Sequence, residues 1–177
     1  MAEETFTVEP VEAAIDTAEL LKTEKTALAL IARAEQCSWK LKCKLEKKKY
    51  SSGAIQTVID HLLKLDLLND RRYSELWLKD RIGRGNKGPR IFLQLLGNKG
   101  IDRETAAEAL TALLTPETET ALLKRCLEKA VQKDIVTGKS AVYAGKKSTG
   151  ARMAARHFLK MQGFSAESIN RYFEELE

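Results

Sequence analysis

The sequence predicts an all-α protein, a tandem repeat of three three-helix units forming an elongated, curved nine-helix array. Three observations lead there. Apolar residues recur at intervals of three and four along almost the whole chain, the period of one helical face. Ten glycines and three prolines in 177 residues are too few breakers for a turn-dense sandwich or a low-complexity linker. One short pattern of helix end, apolar plug and helix cap occurs three times.

The helical faces are explicit. Leu41 and Leu45 are four apart; Ile55, Val58, Ile59 and Leu62 make one stripe, and Tyr73, Leu76 and Trp77 another. Phe92, Leu95 and Leu96 follow, then Leu122, Cys126 and Leu127, and finally Ile169, Tyr172, Phe173 and Leu176. Thr115 before Pro116 reads as an N-cap with proline at the first helical position, Gly88–Pro89 opens another helix, and Asp102 and Ser165 are candidate caps.

The repeat lies between the stripes. Leu45, Leu96 and Leu159 are each followed five residues on by an apolar plug, Tyr50, Ile101 or Phe164, and then by Ser51, Asp102 or Ser165. Gly100 and Gly163 precede the second and third plugs, as a left-handed helix end requires; Lys49 precedes the first, so that turn either closes differently or carries strain. A lead-in helix comes before each unit, at about 24–36, 70–82 and 116–132. The organisation expected is an acidic, flexible extension over 1–22, repeats over 23–68, 69–114 and 115–177, and a basic loop inserted in the last at about 133–150. Short helices stacked in line bury surface only against neighbours, hence the elongated shape; a compact nine-helix globule fits the pattern too.

Charge narrows the function. The chain carries 30 Lys and Arg against 25 Asp and Glu, but six of the acids and none of the bases lie in the first 21 residues, so the remainder has a net charge of +11. A body so charged attracts polyanions, although a solvated basic surface that binds nothing in particular has the same composition. The acidic start lacks the basic and apolar regions of a secretory signal, no apolar run exceeds Ala27–Ala32, and three cysteines without a close pair suit a reducing cytoplasm.

The bases fall in two clusters. Lys40, Lys44, Lys47 and Lys48 share one helical face, where a solvated face and a phosphate-binding face are equally good readings. Arg81, Arg84, Lys87, Arg90, Lys99 and Arg103 form the second cluster around Gly83-Arg84-Gly85-Asn86-Lys87-Gly88-Pro89. That loop runs into a helix N-terminus whose free N–H groups and dipole would attract an anion, which favours phosphate binding here. It matches G-x-G-x-x-G, but a dinucleotide fingerprint must follow a strand and none is predicted. Gly138-Lys139-Ser140 resembles the end of a P-loop, yet Lys133 stands where that motif needs glycine.

No catalytic constellation emerges. Cys37 and Cys43 are six apart without histidine at ligand spacing, Cys126 sits in an apolar stripe, and His61 and His157 are isolated. Trp39 and Trp77 have the chemistry to stack on bases, but aromatic residues at helical spacing belong more often to a core. The expectation is a non-enzymatic protein without metal or cofactor.

The pattern resembles the RecX family of recombinase regulators. The resemblance rests on the run Ala27–Arg33, Leu41-x-x-x-Leu45 with its Lys-Tyr-Ser turn, and Leu65-Asp66-Leu67-Leu68-Asn69-Asp70-Arg71-Arg72-Tyr73. Arg81, Gly88-Pro89-Arg90, Leu96-Gly97-Asn98-Lys99-Gly100-Ile101-Asp102 and Phe158-Leu159-Lys160-Met161-Gln162-Gly163-Phe164-Ser165 complete it. These motifs cover about residues 26–113 and 150–176. The resemblance implies a cytoplasmic, non-enzymatic regulator of recombination and repair that docks in the groove of the RecA–DNA filament. There it would hinder filament growth, ATP hydrolysis and strand exchange, and it would bind single- and double-stranded DNA, acting as a monomer without membrane contact. A general nucleic-acid-binding helical module is the alternative that the basic body supports.

Overall fold

The computed structural model describes residues 16–85, 87–132 and 149–175. Nine α-helices and no strand occur among them: α1 (Thr17–Arg33), α2 (Ser38–Glu46), α3 (Ser52–Lys64), α4 (Asp70–Arg84), α5 (Pro89–Gly97), α6 (Arg103–Leu113), α7 (Pro116–Gln132), α8 (Thr149–Met161) and α9 (Ala166–Glu174). The all-α repeat array expected from the sequence is therefore the fold. α1 starts at Thr17 rather than near 24, because Asp16 caps it by accepting from the Ala18 amide at 3.0 Å. Most of the acidic extension, and nearly all of the insertion at 133–150 with Gly138-Lys139-Ser140, lie outside the described residues.

The same local chemistry builds each unit. The third helix of every unit opens on a side-chain cap from Ser51, Asp102 or Ser165, each accepting the amide three residues on. Such caps satisfy an N–H that the helix itself leaves unpaired. Thr115 does the same for α7, accepting from the Thr118 amide at 3.3 Å, with Pro116 in the first turn. The second helix ends in a turn that runs through the left-handed region at Lys49 (φ 64), Gly100 (φ 75) and Gly163 (φ 90). In the later two turns the plug's amide reaches back across the turn, Ile101 to the Leu96 carbonyl and Phe164 to that of Leu159, both at 3.2 Å. This is the six-to-one bond of a Schellman end. Lys49 thus closes its turn in the glycine conformation without being glycine.

The plugs differ in depth. Ile101 and Phe164 are 3% and 4% exposed and belong to one core shared by the second and third units, together with Phe92, Leu96, Leu122, Leu127, Leu159 and Phe173. Tyr50 is half-buried against a separate core of the first unit, built from Leu41, Leu45, Ile55, Val58 and Leu62, and its hydroxyl meets that of Thr26 at 2.8 Å. A phenol at this position plugs the turn with its ring and keeps its polar tip bonded.

The units meet through their turns. A Cβ placed on Gly100 would stand 2.4 Å from the Trp39 side chain, and one on Gly163 would stand 2.8 Å from that of Ile91 and 2.9 Å from its amide nitrogen. The start of α2 therefore rests on the turn after α5, and the start of α5 on the turn after α8. Gly88 completes the second joint, since a Cβ there would lie 2.7 Å from the Gly163–Phe164 backbone. The first joint is also polar: the Asp70 carboxylate accepts from the Ser38 amide at 2.7 Å and its hydroxyl at 2.5 Å, and Arg72 donates to Glu35 at 2.8 Å.

Two outcomes are expected in denaturant melts. Phe164→Ala should cost roughly 3–5 kcal/mol, the usual loss for a buried ring, and an unchanged midpoint would mean the plug is not packed. Lys49→Gly should stabilise by about 1 kcal/mol, because a side chain in the left-handed region carries a penalty that glycine avoids.

Candidate nucleic-acid interface

The turn joints set the second helix of each unit end to end. The N-terminus of α2 abuts the C-terminal turn of α5, and the N-terminus of α5 abuts that of α8. Their 9, 9 and 13 residues amount to about 45 Å of helix at 1.5 Å per residue. α2 and the turn after it hold Lys40, Lys42, Lys44, Lys47, Lys48 and Lys49 with Glu46 as the one acid; α5 and its turn hold Arg90 and Lys99 with none; α8 holds Arg152, Arg156 and Lys160 with none. Acids are concentrated on the other helices, which gives the array one strongly cationic line.

The predicted residues occupy different situations along it. Lys40 is exposed at the start of α2, Lys47 caps the helix end, and Lys48 is exposed in the turn. Lys44 is half-buried and donates to Gln36 Oε1 at 2.8 Å. Arg90 is exposed in the first turn of α5 and Arg103 in the first turn of α6. Arg81 and Lys99 converge on one ring, with the guanidinium carbon 5.1 Å and the ammonium 5.9 Å from the Trp77 centroid. That geometry is within the range of a cation–π contact.

The glycine-rich loop corrects an expectation. Two amides at its helix N-terminus are already taken: that of Gly88 donates to the Gln162 carbonyl at 2.7 Å and that of Arg90 to the Gly163 carbonyl at 3.1 Å. Lys87 donates to the Gln162 side chain at 3.0 Å, and Arg84 pairs with Asp80 at 2.9 Å. Gly85 is left-handed beneath Arg125, which donates to the Gly83 carbonyl at 3.4 Å, and Lys129 donates to that of Arg84. The loop is the joint between the second and third units, where Gly88 allows close backbone approach and Gly85 the left-handed turn, while a Cβ on Gly83 would meet nothing within 4 Å.

Trp39 corrects another. The core reading fits Trp77, half-buried and edge-on to Phe92 at 6.2 Å, whereas Trp39 is 49% exposed. By sequence this indole is a stacking candidate for which the core is favoured, and the cations of α8 were missed. Arg152, Arg156 and Lys160 at four-residue spacing in a helix without acids was the available signal for the latter. Arg152 and Arg156 both lie over the Phe173 ring, at 5.6 and 4.9 Å.

No cluster of three or more metal-ligating side chains occurs among the described residues, and no helix there is long and apolar enough to cross a membrane. The thiols fit structural roles. Burial pushes the Cys126 thiol up to about 11. Cys37 is also raised by burial, and its sulfur donates to the Lys99 carbonyl at 3.4 Å, tying the first unit to the second.

Repeated three-helix units with cationic second helices define a helical-repeat protein. A family model described as "RecX, second three-helix domain" matches residues 69–110. The regulatory protein RecX of Pseudomonas entomophila (strain L48) is 30% identical over 149 residues, covering 83% of this chain and 86% of that one. Those of Treponema pallidum (strain Nichols) and Mannheimia succiniciproducens are 31% and 33% identical, with the matched stretch spanning 66% and 55% of their lengths. A crystal structure of RecX from Lactobacillus salivarius superposes with a TM-score of 0.76 at 24% identity, over 91% of this chain and 98% of that one, a likeness of fold. The chain belongs to the RecX family.

The Cys126 thiol sets a pH window. The unfolded chain ionises it near the ordinary thiol value of 9.0 and the folded chain only near about 11, so its contribution to stability is complete below pH 9.0 and falls as pH rises through that interval. Denaturant midpoints of Cys126→Ala should decline less between those pH values than those of the unaltered protein; parallel declines would place the thiol in water.

Proposed function

We propose that this protein is a non-enzymatic regulator of the RecX type, a cytoplasmic monomer that docks in the groove of the RecA–DNA filament and hinders its extension, its ATP hydrolysis and strand exchange. The observation that supports this most is the end-to-end line of cationic second helices. A groove that winds along a filament presents acidic groups and phosphates at regular intervals. A row of similar units with bases on corresponding helices can meet several of them at once. Each neutralised phosphate releases condensed counterions, so affinity falls steeply with salt. Family membership supplies the choice of partner, since the relatives are named regulatory protein RecX.

A general nucleic-acid-binding module is the second reading, favoured by the net charge of +11 after the acidic start. Partner dependence separates the two. The regulator should shorten RecA filaments and lower their ATPase at equimolar amounts, and should prefer filaments to bare strands; a general module should act on bare DNA without that preference. Unchanged ATPase and filament length would refute the regulator. Detectable nucleotide turnover by the chain alone would refute the non-enzymatic reading.

Lys48, Arg90 and Lys160 are exposed, one on or beside each of α2, α5 and α8. Reversing all three to Glu should leave helicity unchanged and weaken binding to DNA and filaments. It should also flatten the log–log salt slope by about 0.7–0.9 for each phosphate that is no longer neutralised. An unaltered slope measured by anisotropy would move the interface to another face.

A further inference from the structure

The joint between the first and second units carries a cluster that neither packing nor capping explains. Lys99 extends its ammonium to the Trp77 ring, 5.9 Å from the centroid, beside the Arg81 guanidinium at 5.1 Å. The next residue, Gly100, lies directly beneath Trp39, whose indole is 49% exposed. Arg81 Nε is buried and lacks a hydrogen-bond partner. The nearest carboxylate oxygen to it, on Asp80, is 3.9 Å away, beyond hydrogen-bond reach, and the Asp80 carboxylate is held by Arg84 at 2.9 Å. Lys99 Nζ has no ion pair among the described residues. The other acids nearby are also engaged, Asp70 by Ser38 and Asp102 by the Thr105 amide. The joint therefore holds two cations and an orphaned donor without a matching anion, next to a large aromatic face open to solvent.

We propose that Trp39, Lys99, Arg81 and Trp77 form a subsite for an unpaired nucleotide of single-stranded nucleic acid, the base stacking on the Trp39 indole and an adjoining phosphate lying between Lys99 and Arg81. This rests on the reading of the cationic line as a nucleic-acid interface and narrows it to a strand with accessible base faces. Stacking on an aromatic side chain is sequence-tolerant, because every base has a π-face. The Arg81 side chain is 38% exposed, so a phosphate can approach its guanidinium from solvent, and a charge-assisted bond there is among the stronger hydrogen bonds available to a protein. Trp77 fixes the spacing of the two cations and is itself fixed edge-on to Phe92. Lys40, exposed one residue beyond Trp39, extends the cationic surface along α2. A double helix keeps its base faces stacked inside and could use only the cations. A protein partner would need an acidic group for the cations and an apolar one for the indole, which makes it the competing occupant.

The test uses the full chain and three probes: a twenty-nucleotide oligothymidylate, an abasic strand of equal length, and a duplex. In a Trp77→Phe background Trp39 is the sole indole, so its emission reports the subsite without altering residue 39. Oligothymidylate should quench it, and the abasic strand and duplex should not. Trp39→Ala should weaken oligothymidylate binding about tenfold and abasic binding little, while Trp39→Phe should recover most of the loss. Recovery by Phe also shows that the effect is not one of folding, since both variants remove the indole that lies over Gly100. Arg81→Gln should weaken binding of both strands. Equal quenching and equal affinity for the abasic strand would overturn base stacking while leaving the cationic line intact. Failure of the unaltered protein to bind either strand would remove the interface reading itself. Loss of RecA filament binding in Trp39→Ala with oligothymidylate affinity unchanged would assign the indole to a protein partner and overturn the proposal.

Discussion

Each unit can join the next only because the backbone after its second helix is bare where the preceding unit's helix begins. At Gly100 and Gly163 the chain turns through positive φ, which costs a residue with a side chain about 1–2 kcal/mol. At the same positions a neighbouring helix approaches so closely that any Cβ would overlap it, at 2.4 Å from Trp39 and 2.8 Å from Ile91. Two independent constraints, one torsional and one steric, select the same residue. The result fixes spacing as well as contact, since the helix start of one unit is docked on the helix end of the next. A row of cations on successive second helices follows from that docking without any additional device.

Lys49 shows the same rule where a neighbour is missing. Its φ of 64 is that of its glycine counterparts, yet it is exposed, and no described unit packs against its turn. The torsional constraint remains and the steric one is gone, so a lysine is tolerated at a modest cost and contributes a charge. Met153 occupies the place on α8 that Trp39 and Arg90 take on α2 and α5, and it is 67% exposed. Glu19 accepting from the Ser51 amide and hydroxyl at 2.7 and 2.9 Å secures the first unit internally.

The repeat was legible because it is written in local chemistry. A leucine, a plug five residues on and a cap after it report on a turn only seven residues long, and Ser51, Asp102 and Ser165 all cap as their type and position imply. What lay between units was not legible. Gly83–Pro89 reads as an anion cradle when only its own residues are considered; the amides of Gly88 and of Arg90 just after it are taken by Gln162 and Gly163, more than seventy positions away. Trp39 fits a core by residue type, but half of it stays in solvent because the base of its side chain alone makes the joint. The division of apolar residues into a first-unit core and a core shared by the second and third was hidden for the same reason. Helical periodicity states which face is buried and not which neighbour buries it.

These joints also bear on how charge is arranged along the described residues. Several polar groups at the joints hold units together: Cys37 on the Lys99 carbonyl, Lys87 on Gln162 and Asp70 on Ser38. The cations of the second helices are distributed, from two on α5 and its turn to six on α2 and its turn, and an exposed one is weak alone. Such a surface gains affinity by meeting many anionic groups in register, with the register set by the glycine turns. An extended partner with regularly spaced charges would meet that condition across all three units.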